Sequence, residues 1–205
     1  MFWPGGGMRE FYFIRHANTE WNLQKRMQGS LDSDLTPEGR EATRRLAVSL
    51  RAMAFDVCYS SPMGRARATA DLLFVGRGVP VVHLEELAEM GFGGMEGLQL
   101  EEFRRRFPVE FHNLWHDATA YDPSSFHGES FAAAGARARK ALALILDQGH
   151  KRIAVVSHGI MLKLVFGALR GRGLESFWEN PVPENGVITR VLMDEGGRAT
   201  DFSIL

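Results

Sequence analysis

The feature that most constrains the fold is the alternation of short apolar runs with longer stretches of helical periodicity. Six runs have the length and composition of β-strands, at 10–14 (EFYFI), 56–60 (DVCYS), 79–84 (VPVVHL), 152–157 (RIAVVS), 187–193 (VITRVLM) and 200–204 (TDFSI). Several are nearly continuous in apolar residues, which is typical of strands covered on both faces. Helical patterns occupy 36–54, 61–75, 129–148 and 159–169. The order of elements therefore predicts an α/β fold, a three-layer α/β/α sandwich with a mainly parallel sheet.

Two of these helices have recognisable starts. The first opens Thr36-Pro37-Glu38, which is a capping residue, a proline suited to the first helical position and an acid in the first turn. The second opens in the same style at Ser61-Pro62. We therefore predict that the helices begin at these two dipeptides.

The chain has 205 residues, which suits one domain. Within it we expect residues 1–7 to be a disordered extension and residues 91–128 to form a helical lid or side-wall insertion, since 91–128 is too long for a plain connection. Aromatic side chains recur there at helical spacing, at Phe103, Phe107, Phe111 and Trp115, with Pro108 dividing the run. A stripe of core residues is favoured over a substrate-binding wall.

Composition limits the binding partners and the cellular compartment that are expected for this chain. The formal net charge is −1 with a pI near 6.7, so no nucleic acid or membrane surface is expected as a partner. Cys58 is the single cysteine, which excludes an internal disulfide and a zinc site built from thiolates. No run reaches the roughly 20 apolar residues of a membrane span. A cytoplasmic location is expected, with Cys58 a buried and inert thiol.

Polar residues follow the predicted strands at the point where each strand ends. Arg15-His16 and His158-Gly159 come directly after apolar runs, Arg65 lies near the start of a helix, and Glu89 follows a third run. In an open α/β sheet, ligands bind in the crevice outside the carboxyl ends of the strands. We expect these side chains to converge there.

This set of groups suits the chemistry of a phosphoryl group. Two guanidiniums would repel each other without an anion, and phosphoryl oxygens match their fork. The helix starts at 61–62 and 159 would add backbone N–H donors. One neutral imidazole can attack phosphorus while the other donates to an oxygen, and a carboxyl group can protonate the leaving alcohol. Each residue alone also has a plain structural explanation, such as a surface ion pair for an arginine or a helix cap for His158.

Several motifs taken together resemble the histidine phosphatase superfamily, in its phosphoglycerate-mutase-like branch. The matching segments are RHANTEWN (15–22), QG (28–29), DLTPEG (34–39), SSPMGRARATA (60–70), LAE (87–89), GMEG (94–97) and SHG (157–159). Their order and approximate spacing agree over most of the chain, from Phe11 to about Asn185.

The resemblance implies a role for each matched position. It implies that His16 is the nucleophile that becomes phosphohistidine, that Arg15, Arg65 and His158 form the phosphate pocket, and that Glu89 is the proton donor. Further positions are implied to contact the phosphate or to lie at the edge of its pocket: Thr19, Asn22, Gln28, Gly29 and Gly159. It also implies a small-molecule phosphomonoester as substrate, no metal ion, no cofactor and a homodimer.

One position departs from the family pattern. Ala17 stands where glycine usually follows the nucleophilic histidine, and we expect it to be tolerated with a negative φ. The segment after Glu89, MGFGGMEG, resembles ribazole-phosphate and broad-specificity phosphatases more than mutases. Two alternatives stay open: a cofactor-dependent phosphoglycerate mutase, and a non-catalytic phospho-ligand-binding protein in which Ala17 marks the loss of activity.

Overall fold

The computed structural model describes residues 8–179 and 182–205. The predicted disordered extension at 1–7 lies outside the described residues. The division of the chain into domains stays a prediction.

A mixed six-stranded sheet forms the centre of the fold. Its strands are β1 (Arg9–Arg15), β2 (Val57–Ser60), β3 (Val81–His83), β4 (Arg152–Ser157), β5 (Ile188–Met193) and β6 (Ala199–Ile204). They lie in the order β3-β2-β4-β1-β5-β6. The first four in that order are parallel, whereas β5 and β6 are antiparallel to their neighbours. The predicted strands are therefore all present, and the carboxyl ends of β2, β4 and β1 meet at one edge.

Helices cover both faces of this sheet. They are α1 (Glu20–Leu23), α2 (Pro37–Ser49), α3 (Gly64–Phe74), α4 (Leu100–Arg106), α5 (Pro108–His116), α6 (Phe131–Asp147) and α7 (Gly159–Arg170). One hydrophobic cluster joins the sheet to α6 and α7, and a second cluster on the opposite face joins it to α3. This arrangement confirms the α/β/α sandwich.

The predicted helix starts were right in one case and wrong in the other. Thr36 caps α2, because its side chain accepts a hydrogen bond from the Gly39 N–H, and Pro37 is the first helical residue. The helix predicted from Ser61 begins three residues later, at Gly64, where the N-cap residue Met63 supplies no side-chain hydrogen bond. A distant carboxylate, that of Asp32, accepts from the first N–H groups instead. No local pattern could reveal that cap.

The segment 91–128 is a compact part of the core on one side of the sheet. It contains α4, α5 and short 3₁₀ turns at Gly93–Met95 and Ser124–Phe126. Phe103 and Phe126 are buried, and their rings meet edge to face. Phe107 and Phe111 are partly exposed and pack against these two rings. The aromatic stripe is thus mainly core, and it is shared between two helices that meet at Pro108, as predicted.

Among residues 8–179 and 182–205, none of the helices combines the length and the apolar character that crossing a bilayer requires.

Candidate active site

Two histidines leave neighbouring strands side by side. Arg15 at the end of β1 is in register with Ser157 at the end of β4, so the residues that follow, His16 and His158, emerge at the same edge. Their ring centroids are 5.2 Å apart. The parallel pairing of two strands that are far apart in the sequence is what brings these imidazoles together.

His16 is prepared to act as a neutral imidazole. Only 2% of its surface is exposed. Burial, together with the charges of Arg65 and Arg15, holds its pKa well below the usual 6.5. Its Nδ1 lies 2.8 Å from the carbonyl oxygen of Ala17, which must accept a hydrogen bond, so Nδ1 carries the proton. The lone pair of Nε2 is therefore left for a reaction.

Ala17 fits the backbone without strain. The non-glycine residues with positive φ in the described ranges are Lys25 and His127, so the expectation of a negative φ at Ala17 is confirmed. Its N–H donates to Oγ1 of Thr69 at 3.0 Å, which fixes the turn behind His16.

His158 is buried even more deeply, beneath the surface of the site. Its Nε2 lies 2.7 Å from Oγ of Ser61, while its buried Nδ1 has no hydrogen-bond partner within the described ranges. Burial, then the charge of Arg65, then His16 keep its pKa well below 6.5, so this imidazole is also neutral. If Ser61 donates its hydroxyl proton to Nε2, then Nδ1 carries a proton that it can offer to an anion.

The Arg65 guanidinium is held from one side. Its Nη1 donates to the Leu31 carbonyl at 2.7 Å and to the Asp32 carboxylate at 2.7 Å, and its Nη2 donates to the Gly29 carbonyl at 2.9 Å. The side chain is 1% exposed. Its Nε is buried without a partner in the described parts of the chain. A buried cation with an unused donor at the cavity is suited to an anionic ligand.

Arg15 approaches the cavity from another element. Its Nη1 donates to the Pro183 carbonyl at 2.9 Å, and its buried Nε, like that of Arg65, has no partner among the described residues. Burial lowers its pKa, the charge of Glu89 acts in the opposite sense, and the charge of Arg65 lowers it further. The two cations repel each other within one site, and an anion bound between them would relieve this repulsion.

Glu89 is fixed by backbone donors at the start of α7. Its carboxylate accepts from the N–H of Met90 at 2.9 Å, of Met161 at 3.1 Å and of Ile160 at 3.3 Å. This finding corrects one expectation. The first N–H groups of α7 and of α3 were expected to face a phosphate, yet those of Ile160, Met161, Gly64 and Arg65 bind carboxylates of the protein itself. Carboxylates take these places because they complement the helix dipole as a phosphate would.

A cavity of about 210 Å³ connects these residues. The predicted residues that line it are Arg15, His16, Asn22, Gln28, Gly29, Arg65, Glu89 and Gly159. His158 contacts His16 from behind and is not part of the cavity wall, and Thr19 is also absent from it. The structure thus brings together all the predicted positions but leaves two of them beneath the surface.

Thr19 and Asn22 form a capping box around the short helix α1. The Thr19 hydroxyl accepts from the Asn22 N–H at 3.2 Å, and Oδ1 of Asn22 accepts from the Thr19 N–H at 3.1 Å. Because the oxygen of the Asn22 amide is used in this way, its Nδ2 group is the part that can donate to a ligand.

Sequence reasoning missed the residues that support the site from behind. Asp32 anchors Arg65, Ser61 bonds to His158, Thr69 fixes Ala17, and Nδ2 of Asn185 donates to the His16 carbonyl at 2.8 Å. None of these contacts follows from local spacing, because in each the partners lie at least 33 residues apart.

A larger cavity, of about 280 Å³, lies between α6 and the last turns of α7. None of the strand-end residues lines it. We place the active site in the smaller cavity, because the histidines, arginines and Glu89 all meet there.

Comparison with known proteins agrees with this geometry. The family model described as histidine phosphatase superfamily (branch 1) matches residues 11–202. This chain belongs to the histidine phosphatase superfamily. Phosphoserine phosphatase 1 of Hydrogenobacter thermophilus is 30% identical over 83% of this chain and 81% of its own. A probable phosphoglycerate mutase of Serratia proteamaculans is 32% identical over 80% of this chain and 76% of its own.

Solved structures share the same fold. The crystal structure of the α-ribazole phosphatase of Shigella flexneri superimposes with a TM-score of 0.84 and 28% identity, covering 96% of this chain and 95% of that one. The predicted membership of this superfamily is confirmed.

Proposed function

We propose that this protein hydrolyses small phosphomonoesters through a phosphohistidine formed at His16. The observation that carries the proposal is the state of His16, a buried neutral imidazole whose Nδ1 is hydrogen-bonded and whose Nε2 is free, set beside two arginines with unused donors. Relatives that are named phosphoserine phosphatase and α-ribazole phosphatase support a hydrolytic reaction on small phosphorylated compounds.

In the first step, Nε2 of His16 attacks phosphorus and the bond from phosphorus to the ester oxygen breaks. The imidazole gains positive charge, which the Ala17 carbonyl stabilises through Nδ1–H. Glu89, in its protonated form, gives a proton to the departing oxygen, so that the alcohol leaves neutral.

In the second step, a water molecule attacks the phosphohistidine. The Glu89 carboxylate takes a proton from the water, the bond between phosphorus and Nε2 breaks, and inorganic phosphate and neutral His16 result. Glu89 is protonated again and ready for the next substrate.

Phosphate recognition is assigned to groups with unused donors. Arg15 and Arg65, each with an unused Nε–H, and Asn22 line the cavity in which a phosphoryl group would meet His16. His158, whose buried Nδ1 also has no partner among the described residues, lies directly behind His16. We propose that this set makes a metal ion unnecessary, because two guanidiniums supply the positive charge that a divalent cation would otherwise bring. Chelation by EDTA should then leave the rate unchanged.

The leaving group would lie against the outer part of the cavity. Aromatic and apolar side chains there, Trp21, Phe92, Leu100 and Trp115, are joined by the cationic Lys25 and Arg26. This wall favours leaving groups with an apolar or aromatic portion over those carrying an ammonium group, because Glu89 is the one acidic side chain among the described lining residues.

Labelling and substitution test the reaction directly. His16→Asn keeps the approximate size of the side chain but removes the nucleophile, so kcat with phenyl phosphate should fall by roughly 10⁴-fold or more. Wild-type protein quenched during turnover of ³²P-labelled substrate should carry an acid-labile, base-stable label, and His16→Asn should carry none. His112→Asn, at an exposed position on α5, is the matched control. A label that persists in His16→Asn would refute the assignment.

The mutase alternative gains support from the Serratia relative. A mutase returns the phosphoryl group to its substrate, whereas a phosphatase transfers it to water. Phosphoglycerate supplied with a bisphosphate should therefore give free phosphate rather than an isomer. Formation of the isomer as the main product would reverse the conclusion. The cytoplasmic location and the homodimer stay predictions.

A further inference from the structure

The guanidinium of Arg137, on α6, sits behind the segment that carries Glu89. Each of its five N–H donors has an acceptor. Nη1 donates to the carbonyl oxygens of Ala88 at 2.6 Å and Glu86 at 3.2 Å, and Nη2 donates to that of Glu89 at 3.1 Å. Nε and Nη2 also form a bidentate pair with the Glu129 carboxylate, at 3.0 and 2.7 Å. A guanidinium with all its donors engaged has a single orientation.

Glu129 adds hydrogen bonds to the chain on the C-terminal side of Glu89. Its Oε2 accepts from the Gly91 N–H at 3.2 Å, and its own N–H donates to the Gly91 carbonyl at 2.7 Å. The Arg137–Glu129 pair thus holds the chain on both sides of the proposed proton donor, from residue 86 to residue 91.

This support matters because the backbone of Glu89 belongs to no regular element, although its carboxylate accepts from the first N–H groups of α7. Glu89 lies in irregular chain between the 3₁₀ turns Glu85–Leu87 and Gly93–Met95. Three backbone carbonyls of the segment converge on one point, and such a cluster needs several donors in a planar arrangement. Arginine supplies this arrangement, whereas the three donors of lysine on one nitrogen cannot.

We propose that Arg137, together with Glu129, is a positioning residue for the proton transfer by Glu89. The inference rests on the proposed function, in which Glu89 protonates the leaving group. Arg137 does not line the active-site cavity, so it acts through the backbone of residues 86–91 and not on the substrate. A small displacement of a proton donor lowers the rate most for those leaving groups that need the proton.

The test compares two substrates of similar size. The leaving group of 4-nitrophenyl phosphate departs readily without a proton, whereas that of benzyl phosphate requires one. For Arg137→Met, kcat/KM with benzyl phosphate should fall at least tenfold more than kcat/KM with 4-nitrophenyl phosphate. Glu129→Gln should shift the same ratio in the same direction by less. Arg139→Met, at an exposed position two residues further along α6, should leave the ratio unchanged.

Glu89→Gln separates failure of this inference from failure of the proposed function. If Glu89→Gln changes the ratio but Arg137→Met lowers kcat/KM equally with both substrates, then Arg137 is merely structural and the inference is overturned. If Glu89→Gln itself leaves the ratio unchanged, the acid role of Glu89 is wrong. In the double variant Glu89→Gln/Arg137→Met, the ratio should shift no further than in Glu89→Gln alone. Should Arg137→Met fail to fold, as judged by its thermal transition, Arg137→Lys and Glu129→Gln decide by the same ratio.

Discussion

The floor and the rim of the active site are built differently. The floor consists of His16, Arg65 and His158, each at most 2% exposed. The side chains of Arg65 and His158 are held by hydrogen bonds to distant residues, whereas the ring of His16 bonds to the neighbouring Ala17 carbonyl. The rim consists of Trp21, Lys25, Arg26, Leu100 and Trp115, which are partly or fully exposed. The two regions therefore differ in how firmly their side chains are positioned before a ligand arrives.

The floor and the rim should therefore control different properties of the reaction. Groups at the floor act in surroundings from which water is excluded, where charges interact strongly and need no rearrangement. They should influence every substrate alike, because every substrate brings the same phosphoryl group. The rim meets only the leaving group, so its contribution should vary from one substrate to another.

Among the changes that compare floor and rim, the largest effect is expected at the floor, for Arg65→Lys. Lysine keeps the positive charge, but one nitrogen cannot bind the Gly29 and Leu31 carbonyls and the Asp32 carboxylate while also reaching a phosphate. We expect kcat/KM to fall by about 10²-fold for aryl and alkyl phosphates alike. Steady-state kinetics on both substrate classes measures this. Arg67→Lys, at an exposed position on the same helix, should be close to wild type. A loss that depends strongly on the leaving group would contradict the division of roles between floor and rim.

A smaller and selective effect is expected at the rim, for Trp115→Ala. The indole lines the cavity and contacts the ring of Trp178 at a centroid distance of 5.8 Å. Phenyl and 1-naphthyl phosphate have leaving groups of similar acidity but different size. The variant should lose roughly tenfold in kcat/KM with the naphthyl ester, through KM, and less with the phenyl ester. Equal losses would mean that Trp115 acts on folding and not on the leaving group. Trp115→Phe, which keeps an aromatic ring, should recover part of the preference.

The smallest effect expected is a loss of stability at acid pH that comes from the buried histidines of the floor. Burial and the two arginines depress the pKa values of His16 and His158 in the folded protein. At pH 6 an unfolded histidine is about three-quarters protonated, whereas these two should stay neutral. The unfolded state then binds more protons, so stability falls as the pH drops below about 6.5. NMR of labelled histidine checks the charge state, with the urea-denatured protein as reference. Imidazolium signals from His16 at pH 6 would contradict the proposed state of the nucleophile.

Local signals explain what could be predicted of the fold and site. Apolar runs and caps such as Thr36-Pro37 located strands and helices to within a few residues, since they depend on neighbours in the chain. The residues at strand ends could be named because parallel strands present their carboxyl ends at one edge. The start of α3 was misplaced, because its cap is Asp32, from a separate loop.

The α/β/α architecture, the superfamily and most of the residues that line the cavity could be predicted from the amino-acid sequence, because periodicity and motifs are properties of short segments. Three features depend on tertiary packing: His158 lies behind His16, carboxylates occupy two helix N-termini, and Arg137 and Glu129 hold the segment of Glu89. These arrangements join residues that are far apart in the chain, and His16 and His158 are 142 positions apart. Their geometry depends on how whole elements pack, which no local pattern encodes.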